Sequence, residues 1–323
     1  MNGIEHPEVF HGLPVLTLPF LDDAEVRALP AAESVAWRLD CGQEQVPFPE
    51  LWQHFLDTVD TAGVRALLIG PWWEDEFSGL APVVGQLASA AGRFTDLCAL
   101  FLADVVGEEC EVSWLDMCDI TPVLDAFPLL EELTVRGGGD SVPEEEEVLR
   151  LRPVRHEALR SLRFESGGLP GHVVRAVGAC ELPALERLEL WLGSAWYGGD
   201  ATVEDLRPVL AGGGFPRLRH LGLQNSEIQD EIAAAVASAP VVAQLESLAL
   251  SMGTLGDTGA EALLGGQPLT HLTSLDLRHH YLGDPLMERL RELCGRSGTR
   301  LDLDEADSWD PADDEPRYVA VSE

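Results

Sequence analysis

Leu245-ESLALSMGT-Leu255 and Leu272-TSLDLRHHY-Leu282 can be laid over one another without a gap, and both read L-x-x-L-x-L-x-x-x-x-L. Leu218-RHLGLQNSE-Ile228 and Leu159-RSLRFESGG-Leu169 carry the same pattern. Leu185-ERLEL, Leu130-EELTV and Leu97-CALFL hold its first half, and Val64-RALLI, Val35-AWRL and Thr299-RLDL are weaker copies. The first residue of each central apolar pair serves as a marker. The markers are Trp37, Leu67, Leu100, Leu133, Leu162, Leu188, Leu221, Leu248, Leu275 and Leu301, spaced by 26 to 33 residues. A period of that length marks a solenoid, in which each unit buries its apolar face only against its neighbours.

The chemistry of one unit follows from the alternation. In L-x-L the two apolar residues point to one side of a strand and the x residues to the other. Between the strands lie amphipathic stretches such as Asp230-EIAAAVASA, Asp257-TGAEALLGG and Asp284-PLMERLREL. Ile232, Val236, Leu263, Leu286 and Leu290 fall at helical spacing and are expected to face the core. Asp230, Asp257 and Asp284 stand at the helix starts, where a carboxylate accepts free backbone N–H groups. Pro285 fits a first helical turn.

Leu255-G-Asp257-T-Gly259-Ala260-EA-Leu263 resembles the phrase that opens the helix in ribonuclease-inhibitor-type leucine-rich repeats. Ile228-Q-Asp230-E-Ile232-AAA-Val236 and Leu282-G-Asp284-P-Leu286-MER-Leu290 are similar to it. The resemblance covers residues 35–303 and is densest from residue 159. It implies an α/β fold: a right-handed leucine-rich-repeat solenoid, a horseshoe with a concave parallel β-sheet, convex helices and protein recognition on the concave side. One departure stands out. The turn position usually held by Asn or Cys is occupied by Gly167, Gly193, Ser226, Gly253 and His280, so these turns need other hydrogen-bond partners. Arg163-FESGGLP and Trp196-YGGDATV also resemble a little-characterised group of bacterial cytoplasmic leucine-rich-repeat proteins, which lends no site residues.

Around the repeats, residues 1–34 are expected to form an N-terminal cap, residues 35–303 a solenoid of ten strand–helix units, and residues 304–323 an acidic C-terminal tail. The alternation at Tyr318, Val319, Ala320 and Val321 leaves room for the last residues to dock as a strand. Glu144 to Glu147 read as part of an exposed loop.

Composition excludes several kinds of chemistry. All 21 basic residues are arginine, against 56 acidic ones, and the formal charge is −35. Without lysine there is no Schiff base and no Walker A loop. A strongly negative field repels phosphate, so neither nucleic acid nor an anionic membrane is an expected partner; a basic protein would be attracted. The six cysteines include no C-x-x-C pair. No basic-then-apolar leader opens the sequence, and no apolar run reaches the roughly 20 residues of a membrane helix. A cytoplasmic location is the expectation.

No H-E-x-x-H or G-x-S-x-G occurs. The glycine runs at 137–139 and 212–214 lack a following lysine and read as turns. His279 and His280 could meet a metal with Asp276 or Asp304, but adjacent residues on an extended chain point apart. No catalytic residue, metal site or cofactor is expected.

The candidate binding residues lie on the expected concave face and its rim. The x positions are Arg38 and Asp40, Thr134 and Arg136, Arg163 and Glu165, Arg187 and Glu189, His220 and Gln224, Asp276 and Arg278, and Arg300 and Asp302. Opposite charges on neighbouring strands either satisfy one another or offer Arg forks and carboxylates to a partner. Trp72, Trp73 and Phe77, then Trp191, Trp196 and Tyr197, then Tyr281, follow the strands. They either form an aromatic contact rim or fill gaps beneath the loops. The reading is a non-enzymatic protein-interaction scaffold using Arg163, Glu165, Glu189, His220, Gln224, Asp276 and Arg278 with Trp72, Trp73, Trp191, Trp196 and Tyr197. The alternative is an accessory or catalytic subunit acting on a small molecule or divalent ion through acidic and His residues.

Overall fold

The computed structural model describes residues 4–19, 29–73, 78–138, 148–307 and 316–322. Phe77, Gly139, Glu144 to Glu147 and the acidic residues Asp310, Asp313, Asp314 and Glu315 lie outside them. Twelve strands among the described residues lie side by side in chain order. They are β1 (Val9–Phe10), β2 (Leu13–Thr17), β3 (Ala36–Leu39), β4 (Ala66–Ile69), β5 (Ala99–Leu102), β6 (Glu132–Arg136), β7 (Ser161–Glu165), β8 (Arg187–Gly193), β9 (His220–Ser226), β10 (Ser247–Ala249), β11 (Ser274–Asp276) and β12 (Arg300–Asp302). β1 and β2 form an antiparallel hairpin, and every later neighbour pair is parallel.

The marker residues set the register. Trp37 pairs with Leu67, Leu67 with Leu100, and the ladder of markers continues residue for residue to Leu275 and Leu301. A slip of one residue would turn every marker out of the core, so the burial pattern alone fixes the pairing. The sheet begins earlier than the repeats do. β2 lies inside the segment 1–34 expected as the N-terminal cap, and its Leu16 pairs with Trp37.

The helices are α1 (Cys41–Glu44), α2 (Phe48–Thr58), α3 (Ala81–Ala90), α4 (Thr121–Ala126), α5 (Gly171–Gly178), α6 (Val203–Ala211), α7 (Gln229–Val236), α8 (Asp257–Gly265) and α9 (Asp284–Ser297). Ile232 and Val236 on α7, Leu263 on α8, and Leu286 and Leu290 on α9 are buried. One apolar core runs the length of the stack, from Leu18 to Cys294, between helices and sheet.

Two local expectations are corrected. Asp230 does not cap its own helix: its Oδ1 accepts the N–H of Gly256 at 2.7 Å and of Gly259 at 3.1 Å, at the start of α8. Asp257 Oδ1 likewise accepts the Gly283 N–H at 2.8 Å, at the start of α9. Each carboxylate therefore caps the helix one coil further on, and satisfying those orphan donors ties the coils together. The missing Asn ladder is replaced piecemeal. The Ser226 hydroxyl accepts from Ile228 N–H at 3.2 Å. Fully buried His280 accepts the Leu282 N–H at Nδ1, and its Nε2 stands 3.2 Å from the Leu303 carbonyl. At Gly193, with φ of +71°, a Cβ would collide with the Gly167 carbonyl, so here the turns of successive coils touch backbone to backbone.

The opposite face of the sheet is not uniformly open. A second apolar cluster sits there, made of Ala36, Ala66, Leu68, Ala99 and Phe101 under Phe10, with Leu13 and Val15 beside them. The Phe10 and Phe101 ring centroids are 5.9 Å apart. The N-terminal hairpin thus lies over the helix-free face of β3–β5. At the other end of the chain, Pro316–Ser322 runs back along the sheet edge with Val319 and Val321 buried.

Candidate functional site

The helix-free face carries a continuous line of paired charges. Arg38 pairs with Asp40 and donates from Nε to Asp104 Oδ2 at 2.8 Å. Arg136 reaches Asp104 Oδ1 at 3.5 Å, donates from Nε to Glu165 Oε2 at 2.8 Å, and lies 4.9 Å over the Phe101 ring. Arg163 bridges Glu165, at 2.9 Å, and Glu189. Glu189 also pairs with Arg187, and its Oε1 is 3.0 Å from His220 Nε2. The line ends where His220 Nδ1 meets the Ser247 hydroxyl at 2.7 Å.

Parallel pairing brings these residues together. Thr134, Arg163 and Glu189 are lateral neighbours, as are Ser161, Arg187 and His220. The turn after β5 adds fully buried Asp104, which sequence reading missed because it obeys no strand alternation. Residues preceding the hairpin close over the line: His6 Nδ1 lies 3.0 Å from Asp104, and Arg136 Nη2 donates to the Glu5 carbonyl at 3.4 Å.

The electrostatics are those of charges that already have partners. Burial disfavours the charge on Arg163, but Glu189 and Glu165 outweigh it and raise its pKa. Burial likewise pushes Glu189 up, while His220, Arg163 and Arg187 together hold it well below the usual carboxylate range. The five carboxylates Asp40, Asp104, Glu109, Glu165 and Glu189 face the four guanidinium groups of Arg38, Arg136, Arg163 and Arg187. Nearly all of the net acidity of the chain therefore comes from elsewhere.

Beyond Glu189 the face changes character. Its neighbours across β9 and β10 are Gly222 and Ala249, followed by Asp276 on β11. Trp191, expected in a loop, lies on β8 with its ring on this face, paired in register with Gln224. Its Nε1–H and the Gln224 Oε1 are buried without hydrogen-bond partners among the described residues. Gln224 Nε2 donates to the Ser251 hydroxyl at 2.8 Å, and Ser251 in turn donates to Asp276 at 3.2 Å. Arg278 folds onto Asp276, donating to both its oxygens at 3.2 Å.

The expected aromatic rim is divided. Trp72 is buried and its Nε1 donates to the Ser78 carbonyl at 2.5 Å; it meets Trp73 edge-on and lines with it a groove of 440 Å³. Trp196 is 79% exposed, and Tyr197 is half-buried. Tyr281 is buried, its hydroxyl donating to the Tyr318 carbonyl. His279 and His280 diverge: His279 Nε2 stands 3.1 Å from the Tyr318 carbonyl, while His280 serves its own turn. Burial lowers the His280 pKa. Among the described residues no three His, Cys, Asp or Glu side chains gather as a metal site, and no helix is long and apolar enough to cross a membrane.

A family model described as "Leucine Rich repeat" matches residues 244–264 and 269–285, two successive coils of the parallel stack. The chain folds as a leucine-rich-repeat solenoid. A protein of Bacteroides fragilis with a known crystal structure is similar to this leucine-rich-repeat chain at 28% identity and a TM-score of 0.75, over 87% of this chain and 74% of its own. An internalin of Listeria monocytogenes aligns over 83% of this chain and 72% of its own at 16% identity and a TM-score of 0.35. No curated protein matches the sequence.

Proposed function

We propose that this leucine-rich-repeat protein is a non-enzymatic scaffold that holds a protein partner on the β8–β11 part of its helix-free face. The observation that carries this reading is Trp191: a half-buried indole on the sheet face whose buried N–H meets no acceptor among the described residues. Over β3–β5 the same face is covered by the protein's own hairpin, and from Arg38 to Glu189 its charges satisfy one another. From Trp191 onward the small residues Gly222 and Ala249 leave the ring as the natural anchor, and Trp is the residue type that most often dominates an interface. Asp276, with Asp302 and Arg278 beside it, supplies the polar border. The acidity of the whole chain favours a basic partner.

Capture of the partner by Trp191→Ala and Trp196→Ala variants beside the wild type tests this. Loss of an anchoring Trp costs an interface about 2 kcal/mol or more, which lowers affinity some 30-fold. Trp191→Ala is expected to lose the partner and Trp196→Ala to keep it, both variants being folded. Loss with Trp196→Ala alone would move the contact to the loops and overturn the reading.

A further inference from the structure

Pro316–Ser322 lies along the edge formed by the turns that follow β7, β9, β10 and β11. Its burial alternates: Val319 and Val321 are buried, while Tyr318 is 59% exposed. That period of two belongs to an extended segment laid on a surface. The side-chain amide of fully buried Asn225 brackets one residue of it, Oδ1 accepting the Val321 N–H at 2.9 Å and Nδ2 donating to the Val321 carbonyl at 2.5 Å. Ala320 N–H donates to the Met252 carbonyl at 2.8 Å. The Tyr318 N–H donates to the Tyr281 hydroxyl at 3.1 Å, and Ser113 Oγ donates to the Ser322 carbonyl at 2.7 Å.

The receiving groups repeat with the coil. Asn225, Met252 and His279 are 27 residues apart, each four positions after its marker leucine. All three adopt the left-handed backbone, with φ of 53°, 68° and 52°. Residues other than glycine avoid that region unless the surroundings impose it. Here it turns a side chain or a carbonyl toward the same edge in three successive coils.

Side-chain pockets accompany the backbone contacts. Arg317 enters an acidic hollow with Glu227, Asp230, Glu231 and Thr254. It donates to the Thr254 carbonyl at 3.1 Å, lies 3.4 Å from Asp230 Oδ2, and sits 5.6 Å over the Tyr281 ring. A Cβ at Gly256 would strike the Arg317 guanidinium, and one at Gly167 would strike the Ser322 carbonyl.

We infer that this edge is a peptide-recognition site for an extended peptide of the form Arg-aromatic-apolar-x-apolar, filled in this structure by residues 316–322 of the same chain. Main-chain bonds hold any extended peptide, and the acidic hollow and the two apolar positions select the sequence. The site lies on the loop edge and does not depend on the reading of Trp191.

The test uses the full chain with Val321→Asp, which places a carboxylate at a buried apolar position of the resident segment and leaves the groove itself unchanged. A fluorescent peptide of residues 316–323 is titrated into it. Saturable binding is expected, at least about tenfold tighter than to the wild type, whose groove is filled. Asn225→Gly in the same background keeps the left-handed backbone but removes both hydrogen bonds to the peptide, along with the one from Nδ2 to the Ser166 carbonyl, and is expected to weaken the peptide by about tenfold or more. A folded Val321→Asp chain that does not bind the peptide, or binding indifferent to Asn225→Gly, overturns the inference. Amide hydrogen exchange on the wild type decides the matter if Val321→Asp does not fold. The Ala320 and Val321 amides are expected to exchange well ahead of those in β9 and β10, because the segment detaches while the sheet persists. Exchange only together with the sheet would make the segment an inseparable part of the core and overturn the inference.

Discussion

Asp104→Ala is expected to lower folding stability by about 3 kcal/mol, the lower end of the range for breaking a buried ion pair, because Arg38 keeps Asp40 and Arg136 keeps Glu165. Asp104 is fully buried and sits between the guanidinium groups of Arg38 and Arg136, which are themselves buried. Removing its carboxylate takes away the anion that stands between the two guanidinium groups and leaves each with its remaining carboxylate partner. Chemical denaturation of the variant beside the wild type measures the loss. Arg296→Ala provides the contrast. Its pair with Glu292 on α9 is largely exposed on both sides, and such pairs contribute no more than about 1 kcal/mol. Equal costs for the two variants would mean that the Asp104 site is open to water and that the line of charges is an ordinary surface feature.

Phe10→Ala carries the second large effect, a loss of about 3 kcal/mol from the usual cost of truncating a buried Phe. Phe10 is the side chain by which the hairpin covers Ala36, Ala66, Leu68, Ala99 and Phe101. Without it the hairpin should lift, exposing an apolar patch on the helix-free face that binds a hydrophobic fluorescent dye. Proteolysis between residues 4 and 17 should accelerate at the same time. A variant that loses stability but gains neither dye binding nor cleavage would show that the hairpin is held by β1–β2 and β2–β3 pairing rather than by this contact.

Much of the architecture was legible because the repeat is a register instruction. The marker residues are spaced by chain length alone, yet each pairs with the next, since burying one face leaves no other alignment. The covering of β3–β5 was also readable and was missed. Ala66-Leu-Leu-Ile69 and Ala99-Leu-Phe-Leu102 are apolar at the x positions as well, which marks strands buried on both faces. Trp191 reads as a loop residue if the short pattern L-x-L sets the strand length. β8 runs for seven residues, and its Leu188, Leu190 and Leu192 put Trp191 on the opposite side.

Other features carried no local signal. Asp104 follows β5 in a turn, and only the fold brings it between Arg38 and Arg136. The aspartates at the helix starts were identified by position, but the donors they satisfy belong to the next coil, a relation set by stacking and not by sequence neighbours. The alternation at Tyr318 to Val321 showed that the segment could dock. That it docks on Asn225 depends on a left-handed turn, which a one-dimensional pattern does not display.

The most direct test of the central claim is hydroxyl-radical footprinting of the chain alone and with its captured partner. Trp191 is expected to become protected on binding while Trp196 keeps its reactivity. Trp191 labelled equally with and without partner, with protection confined to other surfaces, would contradict it.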